Sequence, residues 1–180
     1  MDALTIVIIV VAIIAALIAL ILVLAANKPD HFSIERSISI KASPERIFPL
    51  INDLHAHSVW SPWEKKDPNI KKTYSGPASG KGAAMAWVGN HNVGQGRMEI
   101  IEAIPPSRIM LKLDFIKPME GHNTAEYRLN GQAGTTHVTW VMQGPVPFKG
   151  KIMHVIFSMD KMIGKEFDKG LADLKALAER

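Results

Sequence analysis

The run ALTIVIIVVAIIAALIALILVLAA, from Ala3 to Ala26, constrains this chain more than any other feature. Its 24 residues carry no charge, and Thr5 is the only polar side chain among them. At 1.5 Å per residue the run makes about 36 Å of helix, enough to cross the hydrocarbon layer of a bilayer with some tilt. A helix at the edge of a soluble core keeps one polar face, and this one has none. A cleaved signal sequence is the competing reading, because Val23-Leu24-Ala25 resembles the small-residue pattern before a cleavage site. Against it, no Lys or Arg precedes the run, and the run exceeds the usual apolar core of about 7–15 residues. The expectation is a single-pass membrane protein anchored through residues 3–26. Asp2 flanks one end of the run and Lys28, Arg36 and Lys41 flank the other. The positive-inside rule then puts the C-terminal domain in the cytoplasm. Pro29 cannot continue the helix, so Asn27-Lys28-Pro29-Asp30 ends it. The chain divides into an anchor with a short linker, residues 1–29, and a folded domain, residues 30–180.

The folded part opens with strict alternation. FSIERSISI (Phe32–Ile40) puts Phe32, Ile34, Arg36, Ile38 and Ile40 on one face, which predicts a strand with Arg36 as its one polar intrusion. ASPERIFPLIND then reads as a short helix with Ser43 as N-cap, Pro44 at the first helical position and a kink or early stop at Pro49. From Ile70 to Gln143 the pattern is about six strands. Arg108–Lys117 is the cleanest, with Ile109, Leu111, Leu113 and Phe115 alternating against Met110, Lys112, Asp114 and Ile116. Gly76–Gly82 is a glycine-bearing loop without P-loop spacing. After Pro147 the period changes. Ile152–Phe157 is apolar and helical, and Met159, Met162, Ile163, Phe167, Leu171 and Leu174 recur at three and four residues, which marks a long amphipathic helix. The fold class is α+β. An antiparallel sheet and a helix, each with one apolar face, bury those faces most economically when the sheet curls around the helix.

Some functions are excluded by composition. With no cysteine there is no disulfide, thiolate–metal site, iron–sulfur cluster or cysteine nucleophile. The formal net charge of +4 comes from dispersed Lys and Arg rather than a basic stripe, so no nucleic-acid partner is expected.

The element order resembles the START-like superfamily, and within it the polyketide cyclase/dehydrase-like (SRPBCC) group. SIKASPERIFPLIND, the WSPW of Trp60–Trp63, GTTHVTWVMQG at Gly134–Gly144 and the closing MDKMIGKEFDKGLADLKALAE carry the resemblance. It implies a helix-grip fold, a bent antiparallel sheet around the C-terminal helix, enclosing a deep apolar cavity. It also implies a hydrophobic small-molecule or lipid ligand, with some members acting as enzymes. The transmembrane segment is an addition to that pattern.

DLHAHSVWSPW (Asp53–Trp63) is the densest cluster of chemistry-bearing residues. On a helix, residues two apart point away from each other, so His55 and His57 do not pair on a metal; the resemblance implies a short helix here, with Asp53 as a cap or turn residue. No metal site and no cofactor is expected. Trp60 and Trp63 are candidates to pack on a flat ligand. The other inner-wall candidates on or near the sheet are Trp87, Met98, Leu111, Leu113, Phe115 and Tyr127, followed by Trp140 and Met142. Ile163 and Phe167 represent the final helix. No catalytic set emerges. Glu99 and Glu102, three apart, fall on opposite faces of a regular strand, so one of them could point inward and act as a general acid with a raised pKa. The preferred function is a membrane-anchored carrier or sensor of a lipid, quinone or polyketide-like molecule. A cyclase or dehydratase, or a module that binds a protein partner of unidentified kind, are the alternatives.

Overall fold

A computed structural model describes residues 2–180. Helix α1 (Ala3–Ala26) is followed by β1 (His31–Ile40), α2 (Pro44–Asn52) and α3 (Leu54–Trp60). Six strands come next: β2 (Lys71–Ser75), β3 (Ala84–Val88), β4 (Gln95–Ile104), β5 (Arg108–Lys117), β6 (Gly121–Gln132) and β7 (Thr135–Pro145). Helices α4 (Phe148–Ile156) and α5 (Met159–Ala178) close the chain. The strands form one seven-stranded antiparallel sheet in the order β1-β7-β6-β5-β4-β3-β2. This is the helix-grip architecture.

The chain divides into two compact units, Met1–Phe32 with Val146–Met159, and Ser33–Pro145 with Asp160–Arg180. In the first, α1 is long and apolar enough to cross a membrane. Asp2 caps it by accepting a hydrogen bond from the Thr5 amide at 2.8 Å. Helix α4 packs on α1, and the Lys151 ammonium meets the Asp30 carboxylate at 2.5 Å.

In the second unit the register assigns the faces. Tyr127 pairs with Trp140 and Ile109, Ala125 with Met142 and Leu111, and Met98 with Leu113 and Met85. These residues share the inner face, where Phe167, Leu171 and Leu174 of α5 bury their side chains. Helix α2 runs through Pro49 rather than stopping there. The hydrogen bond that Pro49 cannot donate would have gone to the carbonyl of Glu45, and both residues lie on the exposed side of the helix. Ser43 holds the N-cap position without a side-chain bond to a backbone amide of the first turn; its side chain bonds that of Glu45 instead.

Arg36, the intrusion in β1, is answered by α5. Its guanidinium contacts Asp160 at 3.0 Å and Asp168 at 3.5 Å. Gly164 lies between those two acids in sequence, and a Cβ there would come within 2.0 Å of Arg36 Nη2. The glycine therefore makes room for the guanidinium at the expense of helix propensity. Gly164→Ala alone should lower the melting temperature by a few degrees through loss of the ion pair. Placed on an Arg36→Ala background, the same change should stabilise by up to about 1 kcal/mol, the Gly-to-Ala helix preference. Thermal melts of the four proteins read that change of sign.

Candidate functional site

The cap at Asp53 sets the geometry of the Asp53–Trp63 segment. Its Oδ1 accepts from the His55 amide at 2.8 Å and starts α3. Over seven residues of helix, His55 and His57 leave in different directions. His55 stacks on Tyr74 with ring centroids 3.7 Å apart, whereas His57 is buried. Among the described residues no group of three or more His, Asp or Glu is placed to hold a metal ion.

His57 enters an aromatic cluster. Its ring lies 4.5 Å from that of Trp60, and its Nε2 is 3.4 Å from the Tyr127 hydroxyl. Tyr127 stacks on Trp140 at 5.0 Å, and Trp140 lies flat on Phe167 at 3.8 Å with the planes 6° apart. Trp60 meets both Tyr127 and Trp140 edge-on, and its indole N–H donates to the Leu50 carbonyl at 2.8 Å. Gly170 permits this packing, since a Cβ there would stand 3.0 Å from both Trp140 and Pro62. Burial, followed by the nearby Lys72 ammonium, lowers the His57 pKa to about 4, so the imidazole is neutral at pH 7. Burial alone pushes the Tyr127 hydroxyl well above its ordinary value. Trp140 Nε1 is buried with no hydrogen-bond partner among the described residues.

These rings occupy space that the family resemblance would leave as open cavity. Trp60, Tyr127, Trp140 and Phe167 are each at most 4% exposed and pack on one another. They form a sealed floor, together with buried Leu111 and Met142. Trp87 is also buried, lying over Gly96, where a Cβ would come within 2.4 Å of its ring, and against Phe115 at 5.9 Å. Met98, Leu113, Phe115 and Ile163 differ, being only half-buried. Trp63 is half-buried in the loop after α3, with the Lys66 ammonium 4.9 Å from its ring centre. The predicted wall residues thus separate into a closed aromatic group and a more accessible apolar group. A cavity of about 110 Å³ beside α3 is lined by Leu54, His55, Tyr74 and the loop after β2. A wider depression of about 390 Å³ lies at the β6–β7 turn, lined by polar residues including Ser39, Asn130 and His137.

The carboxylates considered as general acids both lie on the outer face. Glu99 pairs with Arg97 at 2.7 Å. A bulge between Ile100 and Glu102 resets the alternation, so Glu102 pairs across from Met110 and bonds Arg108 on that same face. One extra residue in the strand reverses the direction expected from spacing alone. The titratable groups that enter the aromatic cluster are instead His57 and Tyr127. His57 was recognisable as half of a conspicuous pair, but nothing in the local sequence showed which of the two histidines turns inward.

The sheet, its final helix and this interior define a protein of the helix-grip class. A family model described as polyketide cyclase/dehydrase and lipid transport matches residues 31–179, and the chain belongs to that family. No curated protein matches it. Similar solved structures include protein CV1439 from Chromobacterium violaceum, 17% identical over 85% of this chain and 99% of that one, TM-score 0.58. The Aha1 dimer from Colwellia psychrerythraea is 17% identical over 82% of this chain and 96% of that one, TM-score 0.58. The di-domain ARO/CYC BexL from the BE-7585A biosynthetic pathway is 13% identical over 87% of this chain and 53% of that one, TM-score 0.60. At these identities the likeness is one of fold.

Proposed function

We propose that this chain is a membrane-anchored binding protein for an apolar small molecule, of lipid, quinone or polyketide type. The observation that carries this reading is the gradient of exposure along the inner face. Met98, Leu113, Phe115 and Ile163 stay half-accessible, whereas Trp60, Leu111, Tyr127, Trp140, Met142 and Phe167 are buried. Apolar side chains of this kind gain about 25 cal/mol per Å² when a ligand covers them, before ordering costs are subtracted. The stacked rings supply a flat, rigid floor. Membership of a family described by polyketide and lipid chemistry supports the ligand class, and α1 supports the membrane location.

Native mass spectrometry of the full chain, extracted in detergent, tests the binding. Wild-type protein is expected to carry or take up an apolar ligand, and Leu113→Glu with Phe115→Lys should abolish the bound mass while the circular dichroism spectrum is retained. Wild-type protein that carries no ligand, and takes none from a library of lipids, quinones and polyketides, overturns the reading. Alkaline carbonate extraction of membranes checks the anchor separately, because a spanning helix resists it and a peripheral association does not.

The buried His57–Tyr127 pair favours a second reading, a cyclase-type enzyme. A neutral imidazole beside a tyrosine hydroxyl can hold a proton near a substrate carbonyl. BexL, the di-domain ARO/CYC protein of the BE-7585A biosynthetic pathway, offers a parallel at the level of fold. With a pKa of about 4, His57 is a weak base at pH 7, which places this reading second. Turnover of a model polyketone by wild type but not by Tyr127→Phe would reverse the order.

A further inference from the structure

Helix α4 departs from the pattern of the other short helices. Phe148, Met153 and Ile156 are exposed, and so is Phe157 immediately after its end. An apolar face of this kind facing water is unfavourable unless something covers it.

The depth of α4 follows from its contact with α1. Along α1 every described residue is exposed except Ile21, half-buried, and Ala25, fully buried. Those two residues are one helical turn apart on one face and lie in the last two turns of α1. Helix α4 is the element that packs on α1, and two bonds to Asp30 hold it there. Lys151 pairs with the Asp30 carboxylate, and the Val146 amide donates to the Asp30 carbonyl at 2.7 Å. Phe32 adds an edge contact to His154, with ring centroids 6.5 Å apart. If α1 spans a bilayer, its last turns lie at the boundary between acyl chains and headgroups, and any element fixed to them lies at that depth.

Composition agrees with this placement. Exposed Lys28 and Lys149 belong to the same compact unit. Lysines at this level reach anionic headgroups while neighbouring Phe and Ile side chains enter the acyl layer. We infer that α4, with Phe157, is an interfacial membrane element, inserting Phe148, Met153, Ile156 and Phe157 into the leaflet at which α1 ends. The occupant of this face is lipid. The inference rests on the reading of α1 as a bilayer span, and it adds a second point of membrane contact, far from α1 in sequence.

The absence of native cysteine makes the test clean, because each introduced thiol is the only one to label. Full-length Leu17→Cys, Ile156→Cys and Phe157→Cys proteins carry a nitroxide and are reconstituted in vesicles of phosphatidylcholine with phosphatidylserine. Spin-label power saturation then compares collisions with oxygen, which concentrates in the acyl layer, and with a water-soluble nickel chelate. The expected result is strong oxygen contact and nickel exclusion at Leu17. At Ile156 and Phe157 the oxygen-to-nickel ratio should stand several-fold above that of the label on an exposed aqueous loop. Nickel contact at Ile156 and Phe157 with Leu17 still shielded overturns the inference and leaves the anchor standing. Low contact with both reagents at Ile156 and Phe157 marks a protein partner on this face and also overturns it. Nickel contact at Leu17 removes the anchor itself, and the inference with it.

Discussion

Replacing Trp140 with alanine should destabilise the sheet-and-helix unit by about 3–5 kcal/mol, the range found when a large buried aromatic is truncated. Trp140 is the centre of the floor. It lies flat on Phe167, stacks on Tyr127 and receives the edge of Trp60. Removing it cancels all three ring contacts and leaves a void bounded by rigid rings and the backbone at Gly170, which collapse poorly onto the gap. Domains of this size are stable by about 5–15 kcal/mol in total, so the loss is a large fraction of the whole. In a thermal melt followed by circular dichroism it should appear as a fall of roughly 6–20 °C. A shift of only a degree or two would mean that the rings are not mutually supporting. Trp63→Ala serves as the comparison. Trp63 is only half-buried and its ring contact is with the Lys66 ammonium, so its loss should cost about 1 kcal/mol or less.

The second large effect is a dependence of stability on pH that originates at His57. Its folded-state pKa is lowered to about 4 from an ordinary value of 6.5, first by burial and then by Lys72. Above pH 6.5 the imidazole is neutral in both folded and unfolded chains, and the full stability is present. As pH falls through 6.5 the unfolded chain takes up a proton that the folded chain refuses. Stability then drops until the folded-state pKa is reached, by about 3 kcal/mol in all. His122 works in the opposite sense, because its hydrogen bond to Asp114 raises its pKa. The stability it contributes is present below its ordinary pKa and is lost as pH rises through the raised one. Asp114, Asp160 and Glu166, all held below their ordinary values by partners, lose their contributions as pH falls through the carboxylate range. These terms are common to wild type and His57→Gln, so the difference between the two proteins isolates His57. Urea unfolding of both, from pH 7 down to pH 4.5, should show curves that diverge as the medium becomes acidic, with the variant the less sensitive. Parallel curves would show that His57 can be protonated without unfolding.

Sequence pattern carried the architecture a long way, for a physical reason. Period-two alternation in Phe32–Ile40 and Arg108–Lys117 and the three-and-four spacing from Met159 onward reflect burial of one face, and burial of one face determines the layers. The resemblance in the WSPW and C-terminal segments pointed to the same layers, and the family match over residues 31–179 agrees. What was not legible depended on single-residue events or on neighbours distant in sequence. The bulge after Ile100 put Glu102 on the same face as Glu99 rather than on the opposite one. Pro49 was tolerated on the exposed side of α2. The inward turn of His57 depends on Tyr127, seventy residues later. The residues proposed to line a ligand cavity are chosen for their apolar character and alternation, and no local pattern reports whether such a set leaves space or stacks solid. That depends on how ring planes meet across β6, β7 and α5.

The bonds that Asp30 makes to α4 also decide how this protein should be shortened for study in water. A chain trimmed to begin at His31 keeps every strand but loses the carboxylate that neutralises Lys151 and the carbonyl that holds Val146. It also uncovers the side of α4 that packed on α1. Such a fragment would present two greasy sides of one short helix to solvent and should self-associate. Polar replacements along Phe148–Phe157, made together with the trimming, should keep it dispersed.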